Sequence, residues 1–480
     1  MNNAIKNSFL ENQPSPTLEA TAEAPPSEIG RRSFLRFLSL GAGGAILGGA
    51  FGCGQSAMAA NSPAITRASA LVDDQRFWDS IKQSFTRTTQ EIVLNVDGGT
   101  VVPTSALSAM QRDRRSNGDK LAAVGGFTTL LSQRGAIGTI LGAPPDNVAL
   151  VNGATEAVVQ ALIGLNWRRD DVIFYTDHEH PNVIAAIKSL GYLHKIVSIA
   201  IPLPTAPRIS AAEMASAIEA HVARHRPVKR ALGALVWSSP TYQTGAMLPI
   251  ARIAAIAKKY DLVSVCDAAH LMGMAAINFS ALDIDFLATC GHKWQCGPSL
   301  TAALLRNPRL SGMWSINRTT NTDVMADAAN SFGAQVSYTP MASTAKFDSL
   351  IASCALWDKI GRGKIEAYSL SLGAYLKSRI EQVWGVNSLR SPLSDPELLS
   401  GITCFDPFID SPLARQANAH KHFVDRLRRD HGFVVRAVEL PSNGLSNSAV
   451  RISTPLWVQH GDIDRLVGAM YSLSKELRPY

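Results

Sequence analysis

The sequence predicts an α/β protein, with a large domain built on a mostly parallel seven-stranded sheet and a smaller C-terminal α+β domain. Two observations carry this. From about residue 115, short β-branched runs alternate with Ala/Leu-rich stretches of helical periodicity, the pattern of parallel strands joined through helical crossovers. After about residue 347 the alternation gives way to two long helical stretches, so a second unit begins there. With 480 residues, 46% of them hydrophobic and 18% charged, the chain has apolar material for one large core or two.

Taken in order, the runs at 148–151, 172–176, 196–201, 234–238, 262–266, 286–289 and 301–305 are the expected strands of the large sheet. Between them, 156–165, 211–225 and 250–259 read as helices by apolar spacing and length. Further on, strands are expected near 433–438 and 449–453, then an amphipathic helix over 462–477. The Pro/Ser-rich segment 391–396 reads as a surface loop, and no internal repeat is detectable. The implied organisation is a leader over 1–59, an arm over 60–114, the large domain over 115–346 and the small domain over 347–480.

The leader has two parts. Residues 1–29 are rich in Pro, Ala, Ser, Glu and Asn, and their sparse hydrophobicity cannot offset the entropy of ordering them. Then Arg31-Arg32-Ser33-Phe34-Leu35-Arg36 leads into a Gly/Ala/Leu-rich stretch and a small-x-small pattern at Ala57-Met58-Ala59. This resembles a twin-arginine export signal, with Gly30 where Ser is more usual. It implies the twin-arginine translocase as a partner and a periplasmic or secreted location, since the apolar run is short and glycine-rich for a membrane span. A lipid anchor at Cys53 is the weaker reading, because Ala50 stands where Leu is usual three residues before such a cysteine.

Formal charge is +7, and the leader removes four basic and four acidic residues, so the remainder is also +7. No Lys/Arg run is interleaved with aromatics, which argues against a nucleic-acid partner. Six cysteines without a C-x-x-C pair do not make a disulfide scaffold.

Chemistry is concentrated where predicted strands end. Cys290-Gly291-His292-Lys293-Trp294 follows one strand, and Asp267 ends another in Val265-Cys266-Asp267-Ala268-Ala269-His270. Alone, the lysine would be a solvated surface residue and the aspartate a turn or cap. Together they supply what pyridoxal 5′-phosphate (PLP) requires: an amine for the Schiff base and a carboxylate to keep the pyridine nitrogen protonated. Val151-Asn152-Gly153-Ala154-Thr155-Glu156 joins a strand to a helix and suits either a phosphate at the helix N-terminus or an ordinary N-cap. In Asp177-His178-Glu179-His180-Pro181, alternation along an extended segment would turn both histidines to one side. No distant Cys/His partner at a metal-like spacing completes a site there, so no metal is expected.

The order GATEA, DHEH, SSPTYQTGAMLPI, DAAH, GHKW and a late Arg-x-Ser resembles class V of the PLP-dependent aminotransferase superfamily, fold type I. The nearest branch is isopenicillin N epimerase-like and cysteine desulfurase-like, and the likeness covers about residues 90–475. The resemblance implies PLP as cofactor, Lys293 as Schiff-base lysine and Asp267 as pyridinium partner. It implies His178 stacked on the ring, since the family's stacking histidine directly follows an acidic residue, with His270 and Tyr242 near the ring's phenolic oxygen. Ala154, Thr155 and His292 would hold the phosphate, and Thr344 would reach the phosphate of a neighbouring subunit, implying a homodimer. Arg451 fits the arginine that grips a substrate carboxylate through its planar fork. The sequence departs from the family at Cys290, usually Ser, at Ser343, usually Gly, at Tyr242, often Asn, and at Val458-Gln459-His460, usually Tyr-Asn-Thr.

The expected activity is therefore Cα chemistry on an amino-acid or peptide-derived amine, aminotransferase- or epimerase-like, tailoring a secreted metabolite. The alternatives are a PLP-dependent lyase or cysteine desulfurase-like enzyme, and a non-catalytic PLP-binding protein. A periplasmic solute-binding protein would also be α/β and exported, but would leave the Asp267 and Lys293 motifs unexplained.

Overall fold

The structure, a computed structural model, describes residues 75–85, 90–97, 101–118, 127–226, 232–310, 312–315, 331–337, 344–416, 418–441 and 448–477. All fall within the unit Ser56–Tyr480. The expected export signal at Arg31 and Arg32, the anchor reading of Cys53 and the departure at Ser343 lie outside the described residues. Among the described residues, no helix is long and apolar enough to cross a membrane.

Strands run over Ile92–Val93 (β1), Val148–Val151 (β2), Val172–Thr176 (β3), Val197–Ile201 (β4), Gly233–Ser238 (β5), Val263–Ala268 (β6), Phe286–Thr289 (β7) and Ala302–Arg306 (β8). Four more follow: Ile402–Phe405 (β9), Phe433–Val434 (β10), Arg436–Glu439 (β11) and Ser448–Ser453 (β12). β2 to β8 form one seven-stranded sheet in the order β2-β8-β7-β6-β5-β3-β4. Its pairs are parallel except where β8 runs against β2 and β7. Each of its strands begins and ends within two residues of the run that predicts it.

Period-two alternation sorts these strands into two apolar faces. Leu150, Phe174, Leu235 and Trp237 join a core on one side, covered by the helices Ala211–His225 and Ile250–Lys259. Val151, Ile173, Val236 and Val265 join a core on the other, covered by Ala154–Ile163 and Pro181–His194. Burial on both faces is why these strands read as continuous apolar runs. The edge strand β4 is the exception, half-exposed along most of its length.

The C-terminal region packs the antiparallel sheet β11-β12-β9 and the helices Arg362–Trp384, Ala419–His431 and His460–Glu476 around a third core. The arm joins it. β1 pairs in parallel with β10, and Trp78 of the helix Gln75–Lys82 stacks on Tyr368 with ring centroids 3.8 Å apart. These contacts carry the segment after β1, including Asn95 and Asp97, onto the end of β12, where the Ser453 N–H donates to the Leu94 carbonyl at 2.7 Å.

Candidate active site

In open α/β sheets, ligands bind beyond the carboxyl ends of the parallel strands. There, the segments leaving β2, β3, β5, β6 and β7 surround a cavity of about 290 Å³ lined by Thr155, His180, Tyr242, Asp267, His270 and Lys293, among others. Its inner wall is built from strand ends, and its outer wall from the arm and the C-terminal sheet.

On the inner wall, Asp267 is buried at the end of β6, and its carboxylate accepts the Ala269 N–H at 3.0 Å. Burial raises its pKa, while the nearby Lys293 ammonium pulls it back down. Lys293 Nζ lies 3.1 Å from His270 Nε2. The Trp294 indole N–H donates to His270 Nδ1 at 3.2 Å, so a neutral His270 carries its proton on Nε2, facing the lysine. Burial, then the lysine charge, holds His270 well below its ordinary pKa and favours that neutral form. Gly273 lets these two loops meet. Its φ is +89°, and a Cβ there would fall 2.2 Å from the Gln295 backbone nitrogen.

The helix Ala154–Ile163 points its N-terminus at the same cavity, with Ala154 and Thr155 in its lining. Asn152 donates its backbone and side-chain N–H groups to Glu156 at 2.9 and 2.8 Å, closing the turn before the helix. Across from it are Cys290 and His292, with Cys290 Sγ 3.2 Å from His292 Nε2. Burial lowers the pKa of His292, with Lys293 adding to the effect, and pushes the Cys290 thiol up to about 11.

The outer wall is ionic. Asp97 Oδ1 lies 3.0 Å from Lys293 Nζ, and its Oδ2 lies 2.5 Å from Arg436 and 3.1 Å from Arg451. Arg436 and Arg451 are register partners across β11 and β12, a placement of like charges that is destabilising unless an anion lies between them. Arg451 also donates to the Tyr242 carbonyl at 2.9 Å and to Asn95 Oδ1 at 3.1 Å. Burial alone would raise the Asp97 carboxyl, but the charges of Lys293 and Arg451 hold it well below the carboxylate range.

The family match is extensive: residues 123–406 match the class-V aminotransferase family. The chain belongs to that family. Class-V aminotransferases are PLP-dependent enzymes, and the fold agrees. A solved C-DES variant with glycine covalently linked to its PLP cofactor superposes with a TM-score of 0.67 at 20% identity, covering 81% of this chain and 98% of that one. Isopenicillin N epimerase of Amycolatopsis lactamdurans is 24% identical over 364 residues, 72% of this chain and 85% of that protein. Hercynylcysteine sulfoxide lyase of Schizosaccharomyces pombe is 24% identical over 171 residues, and this match spans only 42% of its length.

Within this class-V chain, the fold brings Ala154, Thr155, Tyr242, Asp267, His270, His292 and Lys293 to one cavity. His178 is a correction. The resemblance put the stacking histidine at His178, directly after Asp177, but β3 ends at Thr176 and the chain turns over 177–179. His178 is thereby directed to a separate small void beside Leu203 and Arg390, with its Nδ1 2.7 Å from Asp177. His180 enters the cavity instead, with its ring 4.8 Å from that of Tyr242. Glu179 fixes this turn by accepting hydrogen bonds from the Thr176 hydroxyl and from both the N–H and the hydroxyl of Ser238.

Arg451 is buried behind Asp97, and it is Arg436 that lines the cavity. Thr344 lies away from it, buried at the start of the helix Ala345–Ile360. Sequence reasoning missed Asp97, His180 and Arg436. The His180 signal was available, since Glu179-His180 also places a histidine directly after an acid. Asp97 gave no local signal, because the cations that meet its carboxylate, Lys293, Arg436 and Arg451, come from distant parts of the chain.

Proposed function

We propose that this class-V enzyme acts at the α-carbon of an amino-acid or peptide-derived amine, moving a proton or an amino group, without a sulfur-accepting cysteine of its own. The observation that carries this is the state of its thiols. Cys266, Cys290, Cys296, Cys354 and Cys404 are all buried, and Cys290, at the cavity, is held far from thiolate formation at neutral pH. The stretch 431–447 ahead of Arg451 contains no cysteine.

The donor set fits PLP: a primary amine at Lys293, a buried carboxylate at Asp267, and a helix N-terminus with the Thr155 hydroxyl for a phosphate. When bound, PLP supplies an electron-withdrawing ring that stabilises charge left at the substrate α-carbon. In this reading Lys293 would anchor the cofactor, and its Nζ would be the group that holds and moves the α-proton. Asp267 would keep the ring nitrogen protonated, and His180, in place of His178, would hold the ring face. His270, with its proton on Nε2, and Tyr242 would serve the phenolic oxygen, and Ala154, Thr155 and His292 would hold the phosphate.

A β-eliminating lyase is the second reading. It too needs no acceptor thiol, and one relative is named a sulfoxide lyase. The test is to incubate the PLP-loaded protein in D2O with amino acids, amides and short peptides, following α-deuteron uptake, transfer to a 2-oxo acid and release of ammonia or sulfide. Exchange or transfer supports the proposal, and elimination without exchange into recovered substrate supports the lyase. Turnover requiring a persulfide on one of the chain's own cysteines would restore a desulfurase.

The proposal extends to location and assembly. Arg31 and Arg32 would direct export through the twin-arginine translocase, so replacing both with Lys should leave the protein in the cytoplasm, and equal periplasmic recovery would remove this reading. Thr344 would serve the phosphate site of a partner subunit in a homodimer, and a fully active monomer by sedimentation would refute it.

A further inference from the structure

Arg436 and Arg451 face each other directly across β11 and β12, and Asp97 Oδ2 lies within hydrogen-bond reach of both. Two guanidiniums in that register need an anion. A substrate carboxylate could serve, yet the chain supplies its own. The fork of Arg451 is committed already: one amino group donates to the Tyr242 carbonyl and the other to Asn95 Oδ1, while Asp97 Oδ2 forms an ion pair with that second amino group at 3.1 Å. Arg451 itself is 1% exposed, so a carboxylate from solution reaches it only by displacing Asp97.

We propose that Asp97 is a specificity-determining residue, an internal carboxylate that occupies the Arg451 fork and turns the site away from free α-amino acids. The favoured substrates carry the reacting amine on a carbon whose carbonyl is uncharged, as in an amide or a peptide. This rests on the PLP reading above for the position of the reacting carbon, and on the ion network alone for the exclusion of carboxylate. The arrangement is held from several sides. Asn95 Oδ1 accepts from both the Asp97 backbone N–H at 3.3 Å and Arg451, and the Leu94 carbonyl is tied to β12, so Asp97 is delivered by backbone anchored on the arginine's own strand. The charge left over is at Arg436, whose side chain is 39% exposed. A carboxylate borne elsewhere on the substrate meets that guanidinium, as the far end of a short peptide would.

The test uses the full chain loaded with PLP and, in parallel, without it. Propionate, as a simple carboxylate probe, is titrated by calorimetry into the wild type, Asp97→Ala and Asp97→Asn. At least tenfold tighter binding to Asp97→Ala than to the wild type is expected, and it should be lost again in Asp97→Ala combined with Arg451→Gln. Asp97→Asn keeps the size of the side chain and guards against a folding defect. It should bind more tightly than the wild type, because its amide cannot neutralise the two arginines. In the loaded protein, the ratio of α-deuteron exchange for alaninamide over alanine should fall at least tenfold on Asp97→Ala. Propionate binding to the wild type as tight as to the variants overturns the proposal. Failure to load PLP would overturn the functional reading, while the propionate series would still decide the role of Asp97.

Discussion

Two lysines are buried in different parts of the molecule, Lys293 at the carboxyl edge of the large sheet and Lys377 in the C-terminal core. Lys293 borders a cavity and meets Asp97 at 3.0 Å and His270 at 3.1 Å. Lys377 lies inside the helix Arg362–Trp384, fully buried, and its ammonium reaches the Ser400 carbonyl at 3.3 Å. Burial without a carboxylate lowers its pKa to about 7. A depressed lysine pKa is a common sign of catalytic function, yet the strongly depressed lysine here is not among those that line the active-site cavity. Burial alone makes an amine neutral. Reactivity also needs space for a ligand and partner acids, and those surround Lys293.

The largest expected effect breaks the comparison at Lys293. Lys293→Ala should abolish the borohydride-reducible link to PLP and slow α-proton transfer by about 10²–10⁴-fold. A retained covalent link would disprove the assignment. Asp267→Ala should keep the link but hold less PLP at equal cofactor concentration, measured by absorbance after desalting, because the ring nitrogen loses its anionic partner.

Lys377→Met should leave the link and turnover in place and change stability instead. The folded pKa of about 7 lies below the 10.5 of the exposed amine, so the unfolded chain binds more protons between those values and wild-type stability rises with pH there. Below about pH 7 both states are charged and the burial penalty is complete. Lys377→Met should therefore stabilise the protein at neutral pH and below, on the order of a few kcal/mol, with the gain shrinking as pH approaches 10.5. Denaturant titrations at pH 7 and pH 10 measure this, and an equal or negative difference at both would show that the Ser400 contact outweighs desolvation.

The smallest effect belongs to Glu179, the buried acid that shapes the turn before His180. Burial, partly opposed by hydrogen bonds from Ser238 and Thr176, pushes its pKa up from 4.5 to about 7. The folded state thus favours the protonated acid, and its contribution is present below pH 4.5 and lost as pH rises toward 7. Glu179→Gln mimics the protonated form. It should match the wild type within about 0.5 kcal/mol at pH 4 and become the more stable of the two above pH 7. PLP loading should survive if Glu179 acts only by placing His180.

What could be read from the sequence follows from how local each cause is. Strands buried on both faces must be apolar throughout, so the seven runs of the large sheet announce themselves. The residue at a strand's carboxyl end is near the ligand by topology, so Asp267 and Lys293 stand out once both motifs are seen. β9 escaped notice because Ile402–Phe405 is four residues among loops, and its pairing with β12 is a tertiary matter. The helix Pro181–His194 escaped because proline reads as a break, although at a first helical position it costs no hydrogen bond.

By itself, then, the sequence determined the α/β class, the seven strands of the large sheet along the chain, the inner wall with its lysine and carboxylate, and the absence of a cysteine in the stretch before Arg451. Only the tertiary structure decided which histidine enters the cavity and what meets the two arginines. The choice between His178 and His180 depends on where β3 stops and how Glu179 is buried against Ser238. The ionic outer wall joins Asp97 to Arg436 across 339 residues of sequence, through the pairing of β1 with β10 and the register of β11 with β12. Charges so far apart in the chain carry no local pattern, and their interaction exists only once three separate segments are packed against one another.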